Sequence, residues 1–145
     1  MSSTRETDPE SAVWWFRVAL DDLDAAHVIA NAPALAPRIA ASLAQQAAEK
    51  ALKAAIAFAG TDPPRTHELL ALSEDLRTHG LEIDDAGDLN ALTDGLRSGR
   101  YPDPEEPGFE RSDVEALVAS AQSILDVVRD HLTANGVDLD AIEPV

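Results

Sequence analysis

The chain has 145 residues, and its 27 acidic and 11 basic side chains give a formal charge of −16 at neutral pH. That length suits one domain with a sizeable core, and the charge disfavours nucleic acid and anionic membranes as partners. The chain has no cysteine, which excludes disulfide scaffolds, thiolate metal sites and cysteine nucleophiles. The N-terminal residues are polar, and no apolar run approaches the about 20 residues of a membrane span, so we expect a cytoplasmic protein without a secretory leader.

The composition favours helices over strands. Alanine and leucine number 26 and 17, whereas the β-branched valine and isoleucine number 9 and 6, and aromatic residues make up 4% of the chain. Alanine and leucine lead the helix propensity scale, while strands prefer β-branched and aromatic side chains. The sequence therefore predicts an all-α fold.

Prolines and glycines divide the chain into five predicted helices, because both residue types interrupt helices and mark turns. Thr7 or Asp8 is the expected cap of the first helix. Gly60, Gly80 and Gly136 are expected just past helix C-termini, where glycine is favoured. The predicted helices span residues 9 or 10–30, 35–60, 66–79, 85–98 and 112–135.

The segments between and beyond these helices are polar. Residues 99–111 form a proline-rich acidic loop, and residues 112–115 (SDVE) fit a capping box at the start of the last helix. Gly87 and Gly95 weaken the prediction of the fourth helix, because a glycine inside a helix costs roughly 1 kcal/mol against alanine. The chain thus divides into a polar segment 1–9, a helical domain 10–136 and a short, loose acidic tail 137–145.

The first and last predicted helices carry apolar stripes. In the last helix the stripe occupies an arc about 120° wide, which predicts one buried face. The first helix has a similar arc, and a second apolar group that includes Trp14, Trp15 and Val18 lies outside it. This second group predicts contact with another helix or another subunit. The stripe of the last helix comprises Val114, Leu117, Val118, Ala121, Ile124, Leu125, Val128 and Leu132.

The second predicted helix is alanine-rich all round, as in a central helix that others approach closely. Its polar residues share one arc about 140° wide. Two interpretations are open: Glu49 and Lys53 form a helix-stabilising pair at i, i+4, or the arc contacts an anion. The residues of this arc are Gln45, Gln46, Glu49 and the two lysines of the chain, Lys50 and Lys53.

The histidines form no recognisable catalytic or metal pattern. His27 lies on the apolar arc of the first helix, which predicts a hydrogen-bonded core histidine, while His79 and His131 are expected to face solvent near helix C-termini. Asp24 and His27 have the i, i+3 spacing of a carboxylate–histidine metal pair, but the sequence has no second such pair, so we predict no metal site. Glycine-rich phosphate loops are also absent, and we expect no cofactor.

Four segments of the chain together resemble one family. They are residues 44–54 (AQQAAEKALKA), the aspartate-rich residues 19–26 (ALDDLDAA), residues 64–69 (PRTHEL) and residues 100–103 (RYPD). Residues 44–54 resemble the signature helix of HEPN domains (higher eukaryotes and prokaryotes nucleotide-binding), and residues 19–26 resemble the helix that precedes it. Residues 64–69 resemble the Thr-His-acid-Leu segment of the family, and residues 100–103 resemble its Arg-Tyr-Pro-Asp segment. The resemblance covers roughly residues 12–133.

The resemblance implies a five-helix bundle with an up-down core that forms a homodimer. Many members are encoded beside a minimal nucleotidyltransferase and form toxin–antitoxin pairs, some are metal-independent ribonucleases, and some are described as nucleotide-binding. The ribonuclease members carry an arginine followed four to six residues later by a histidine, and none of the nine arginines here has a histidine at that distance. We therefore predict a non-catalytic dimeric module that partners a nucleotidyltransferase and binds nucleotide. The alternative is a ribonuclease of the HEPN class.

The predicted ligand site follows from this resemblance and from the scarcity of cations. Arg100 and Tyr101 would close over the polar arc of the second helix and supply a guanidinium and an aromatic face. The alternative is an internal salt-bridge network that joins the two lysines to Glu49 and to the acids of the first helix. The predicted site consists of Gln46, Lys50, Lys53, Arg100 and Tyr101, with His67 nearby.

Overall fold

A computed structural model describes residues 6–83, 87–105 and 108–140 of the chain. Within these ranges the chain forms five α-helices and no strand, which confirms the predicted all-α helical bundle. None of the helices there has the length and apolar character needed to cross a membrane. The helices are α1 (Pro9–Ala30), α2 (Pro37–Phe58), α3 (Leu69–Thr78), α4 (Leu89–Arg100) and α5 (Arg111–Ala134).

The ends of α1 and α2 follow the local signals in the sequence. The Asp8 side chain caps α1 by accepting a hydrogen bond from the Ser11 backbone N–H at 3.1 Å. Proline occupies an early position of both helices, where its missing N–H leaves no hydrogen bond unmade. Gly60 follows α2 with a φ of +85°, a left-handed conformation that glycine adopts without strain.

The later helices begin at other residues than predicted. Helix α3 begins at Leu69 instead of Thr66, because the Thr66 hydroxyl accepts the Glu68 backbone N–H at 3.1 Å and holds residues 66–68 in a turn. The predicted start of the fourth helix at Asp85 lies outside the described residues, and α4 begins at Leu89 after the cap Asp88. The predicted capping box of the last helix is wrong, since the cap position is Glu110 and no side chain caps α5.

Arg111, the first residue of α5, ties that helix to the end of α1. Its guanidinium donates to the backbone carbonyls of Ala30 at 2.6 Å and Leu35 at 3.2 Å. These carbonyls lie at or beyond the C-terminus of α1, where the helix itself offers no donor.

Helix α2 is the centre of the bundle and contacts each of the other four helices. Its alanines are buried on all sides, so neighbouring backbones approach closely. Helix α4 contributes Gly95 and Gly99 to this contact. A Cβ atom added to Gly99 would lie 2.7 Å from the Arg38 carbonyl oxygen, closer than real contacts allow. Gly95, one of the two glycines that weakened the sequence prediction of α4, is therefore one of the residues that let this helix pack on α2.

The apolar stripe of α5 is buried along its whole length, as its periodicity predicted. The second apolar group of α1 is divided: Trp14 is half exposed, while Trp15 packs partly against the core. The tail predicted as loose begins with a packed residue, because Val137 is buried against the bundle. Residues 141–145 of that tail lie outside the described residues.

Two histidines are placed differently from the prediction. His27 is exposed instead of lying in the core, and its Nε2 lies 3.1 Å from Oε1 of Gln122 on α5. His131 does not face solvent fully but is half-buried, with its ring centre 6.3 Å from that of Phe58. This burial lowers the pKa of His131, because a charged imidazolium loses hydration there.

Candidate functional site

The two lysines of the predicted site are held in ion pairs. Lys50 Nζ lies 2.6 Å from Oδ2 of Asp22 on α1, and Lys53 Nζ lies 3.1 Å from Oε2 of Glu49, one turn earlier on α2. Lys53 is only 8% exposed, and its ammonium also lies 5.7 Å from the centre of the Trp15 ring. This is the arrangement that the salt-bridge alternative describes, with both lysines bound to acids of α1 and α2.

Glu49 connects the Lys53 ion pair to the loop before α3. It is 5% exposed, and its Oε1 lies 2.7 Å from Nδ1 of His67. Gln45 supports the same contact, because its amide donates to the His67 backbone carbonyl at 2.8 Å. The His67 ring is thereby fixed through Nδ1, while 65% of its side chain stays exposed. Gln46 is not part of this network, since its amide donates to the Ser42 hydroxyl at 3.1 Å.

Arg100 and Tyr101 lie at a cleft between α4 and the loop before α3, and not over the lysines. His67 is the predicted residue that belongs to both places, since it binds Glu49 and also lines this cleft. The cleft has a volume of about 430 Å³, within the range of small-molecule sites. We name it the arginine cleft; it is lined by Arg65, Thr66, His67, Glu68, Thr93, Leu96, Arg97, Arg100 and Tyr101.

Three exposed arginines converge on the arginine cleft without carboxylate partners. Arg65, Arg97 and Arg100 make no ion pair with any residue that the structure describes. Glu68 is the one acidic residue among those that line the cleft. In a chain with a net charge of −16, such a concentration of unpaired cations creates a local positive potential.

Sequence reasoning missed two of the three arginines of the cleft, Arg65 and Arg97. Arg97 and Arg100 stand three residues apart in the last turn of α4, a spacing that places them on one helix face. Arg65 directly precedes Thr66 and His67 in the loop that Glu49 anchors. The i, i+3 arginine pair was a readable signal in the sequence. The approach of Arg65 depends on tertiary contacts that no local pattern reveals.

A second pocket adjoins the arginine cleft and shares Arg97 and Tyr101 with it. Its volume is about 270 Å³, and its walls combine aromatic and proline surface with two aspartates. Arg38 also lines it and donates to the Gly99 carbonyl oxygen at 3.0 Å. We name it the loop pocket; it is lined by Arg38, Arg97, Ser98, Tyr101, Pro102, Asp103, Gly108, Phe109 and Asp113.

The described residues hold no cluster of three or more histidine, aspartate or glutamate side chains with the placement of a metal site. Asp24 is exposed, and the His27 beside it is bound to Gln122. The arginine cleft offers three guanidinium groups, one imidazole, one phenol, one carboxylate and two threonine hydroxyls. Guanidinium groups suit phosphate oxygens, which they can bind with two parallel hydrogen bonds.

Comparison with known families agrees with this architecture. The structure is a five-helix bundle with a central alanine-rich helix and a cationic cleft at one side. The family model of the HEPN domain matches residues 12–131, and the chain therefore belongs to the HEPN-domain family. A search of curated proteins and a search of solved structures each found no match.

Proposed function

We propose that this HEPN-domain protein is a non-catalytic binding module that holds the phosphate groups of a nucleotide in the arginine cleft. The observation that carries the proposal is the convergence of Arg65, Arg97 and Arg100, which have no ion-pair partner among the described residues. Three neighbouring cations without ion-pair partners repel one another. A bound polyanion offsets that repulsion.

Within this proposal the six predicted site residues have two different roles. His67, Arg100 and Tyr101 contact the ligand, because they line the cleft. Lys50 and Lys53 neutralise the carboxylates of Asp22 and Glu49, respectively, outside the cleft lining. Gln46 lies on the same helix but is bonded to its own preceding turn.

Isothermal titration calorimetry with inorganic pyrophosphate tests this proposal. The Arg97→Gln, Arg100→Gln double variant removes two of the three cations, and we expect affinity to fall by at least about tenfold, since each charge-assisted bond contributes about 1.5–3 kcal/mol. Arg129→Gln is the control, because Arg129 lies over the Phe16 ring in a separate pocket. Absence of pyrophosphate binding by the unmodified protein, or equal losses in both variants, would overturn the proposal.

The partner assignment is a second part of the proposal and rests on the family. We propose a homodimer that partners a minimal nucleotidyltransferase, as HEPN members of toxin–antitoxin pairs do. The half-exposed Trp14 on α1 supports a further contact surface. Co-expression with the product of a neighbouring nucleotidyltransferase reading frame, followed by light scattering, tests both parts. A monomer mass at high micromolar concentration would contradict the dimer, and separate elution of the two chains would contradict the pairing.

One observation favours the alternative, a ribonuclease without the family motif. The buried Glu49 carboxylate binds His67 Nδ1, while Nε2 has no hydrogen bond with the residues that the structure describes and lies in the cleft that the arginines line. In that alternative Nε2 takes the proton of a ribose 2′-hydroxyl, the 2′-oxygen bonds to phosphorus, the P–O5′ bond breaks, and the leaving oxygen takes a proton from solvent. Cleavage of a labelled RNA that is lost in His67→Gln but retained in His79→Gln would establish it. Lack of cleavage leaves the binding module as the function.

A further inference from the structure

The loop pocket and the arginine cleft are neighbouring chambers with a common wall. Arg97 and Tyr101 line both of them. A ligand whose anionic group lies in the cleft therefore places its next group beside Tyr101, whose side chain is exposed and ends α4. The ligand that the proposed function requires, a nucleotide, has a base and a sugar to place there.

The two chambers differ in net charge. The arginine cleft has three arginines and one acidic residue, Glu68, whereas in the loop pocket two arginines are balanced by Asp103 and Asp113. A phosphate is therefore attracted more strongly to the first chamber than to the second. This difference orients a nucleotide with its phosphates in the cleft and its uncharged base in the loop pocket.

The walls of the loop pocket suit a flat, partly polar ring. Tyr101 and Phe109 supply aromatic faces, and Pro102 supplies apolar surface between the polar groups. Phe109 packs partly against the core, which gives one of these faces a fixed position. Stacking of a base on an aromatic side chain contributes about 1–3 kcal/mol whatever the base, so stacking holds a base without selecting it.

Selecting one base over another requires a hydrogen-bonding group. The loop pocket contains a carboxylate that forms no hydrogen bond with the residues that the structure describes. Asp113 in the first turn of α5 makes no side-chain hydrogen bond or ion pair with the residues that the structure describes. Asp103 uses one oxygen to accept the Glu105 backbone N–H at 2.9 Å. An ionised carboxylate accepts hydrogen bonds through both oxygens and donates none, so it matches a base edge with adjacent donors.

We propose that the loop pocket binds the base of the nucleotide, that Asp113 selects a base with an amino group, and that guanine is the best match. Guanine presents its ring N1–H and its exocyclic amino group side by side, which suits the two oxygens of one carboxylate. Uracil presents carbonyl oxygens around its single N–H, and a carboxylate repels them. This inference rests on the proposed function, because the phosphates in the arginine cleft set the orientation of the ligand.

Calorimetry with GMP, IMP, UMP and inorganic pyrophosphate tests the proposal on the unmodified protein. IMP differs from GMP only by the missing amino group, so the pair isolates the contact in question. We expect GMP to bind about tenfold more tightly than IMP, as a bidentate base contact does, and more tightly than UMP. Equal affinities for the three nucleotides, with pyrophosphate binding intact, would overturn the base pocket and leave the proposed function standing. Failure of pyrophosphate to bind would overturn both.

The variant Asp113→Asn separates base selection from general electrostatics. Removing a carboxylate makes the pocket less negative, which by itself strengthens the binding of any anion. A loss of GMP affinity to the level of IMP, with pyrophosphate binding retained, is therefore specific to the base contact. Asp130→Asn on the same helix is the matched control, because Asp130 is exposed and lies outside both chambers. Unchanged preference for GMP in Asp113→Asn would refute the role of Asp113.

Discussion

Lys53 and Glu49 form an ion pair that is almost removed from solvent. The two side chains are 10% and 7% exposed, and Glu49 also binds His67. Lys53 is buried because α1 and its Trp15 ring cover that side of α2. Buried ion pairs contribute little net free energy, but the loss of one partner leaves a costly unpaired charge.

Lys53→Gln is therefore expected to destabilise the protein by about 3 kcal/mol, because it leaves the buried Glu49 carboxylate without its ammonium partner. Lys50→Gln breaks the more exposed pair with Asp22 and should cost less than about 1 kcal/mol. Urea unfolding of both variants measures the two free energies. Equal losses would show that the burial of Lys53 does not matter.

The half-buried His131 makes stability depend on pH. Burial lowers its pKa below the ordinary value of 6.5, so the unfolded chain binds a proton at a higher pH than the folded protein does. The stability that neutral His131 contributes is thus fully present above pH 6.5 and is lost as the pH falls below 6.5. We expect His131→Gln to lose less stability than the unmodified protein between pH 7.5 and pH 5.5, measured by thermal unfolding. A parallel decline of the two proteins would contradict the assignment.

At the scale of the elements, α2 and α4 depend on backbone contact through small residues. A Cβ atom added to Gly95 would lie 3.6 Å from the Ala41 carbonyl oxygen. A Cβ atom added to Gly99 would lie 2.7 Å from the Arg38 carbonyl oxygen. This approach also positions the last turn of α4, from which Arg97 and Arg100 enter the arginine cleft. The packing of α4 is therefore what places two of the three cations.

Gly99→Ala and Gly95→Ala should have opposite outcomes. Alanine favours a helix by roughly 1 kcal/mol over glycine, but at Gly99 its methyl group meets backbone that cannot yield, and overpacking of this kind costs about 1–3 kcal/mol. At Gly95 the nearest atom, at 3.3 Å, is the flexible end of Leu117, which can move. We expect lower thermal stability for Gly99→Ala and an unchanged or higher one for Gly95→Ala. A stabilised Gly99→Ala would contradict the close contact.

Local sequence signals were sufficient to predict the five helices, but they did not predict every helix end or the arrangement of the site. The aspartate cap of α1, the glycine after α2 and the stripe of α5 are each set by neighbours within a few residues, so their patterns were readable. The start of α5 was placed one residue late, and no local pattern shows that Arg111 binds carbonyls about 80 residues away in sequence. The orientation of His67 depends in the same way on long-range contacts, which Gln45 and Glu49 of α2 provide.

At the scale of the whole molecule, charge is distributed unevenly. The chain carries a net charge of −16, yet three of its nine arginines surround one cleft on the side of α4. The family match accounts for the bundle and leaves the ligand open. The predicted dimer should tighten with added salt, because screening weakens the repulsion between two strongly negative copies. Analytical ultracentrifugation at two salt concentrations measures this, and weaker association in high salt would contradict it.

The central claim is that an anion binds at the arginine cleft, and the arginine side-chain signals in a nitrogen–proton NMR spectrum test it most directly. Titration with inorganic pyrophosphate should shift the Nε–H signals of Arg65, Arg97 and Arg100. The signal of Arg17, which is paired with Asp21 on α1, should stay unchanged. Shifts that are absent from the three cleft arginines, or that are equally large at Arg17, would contradict the account.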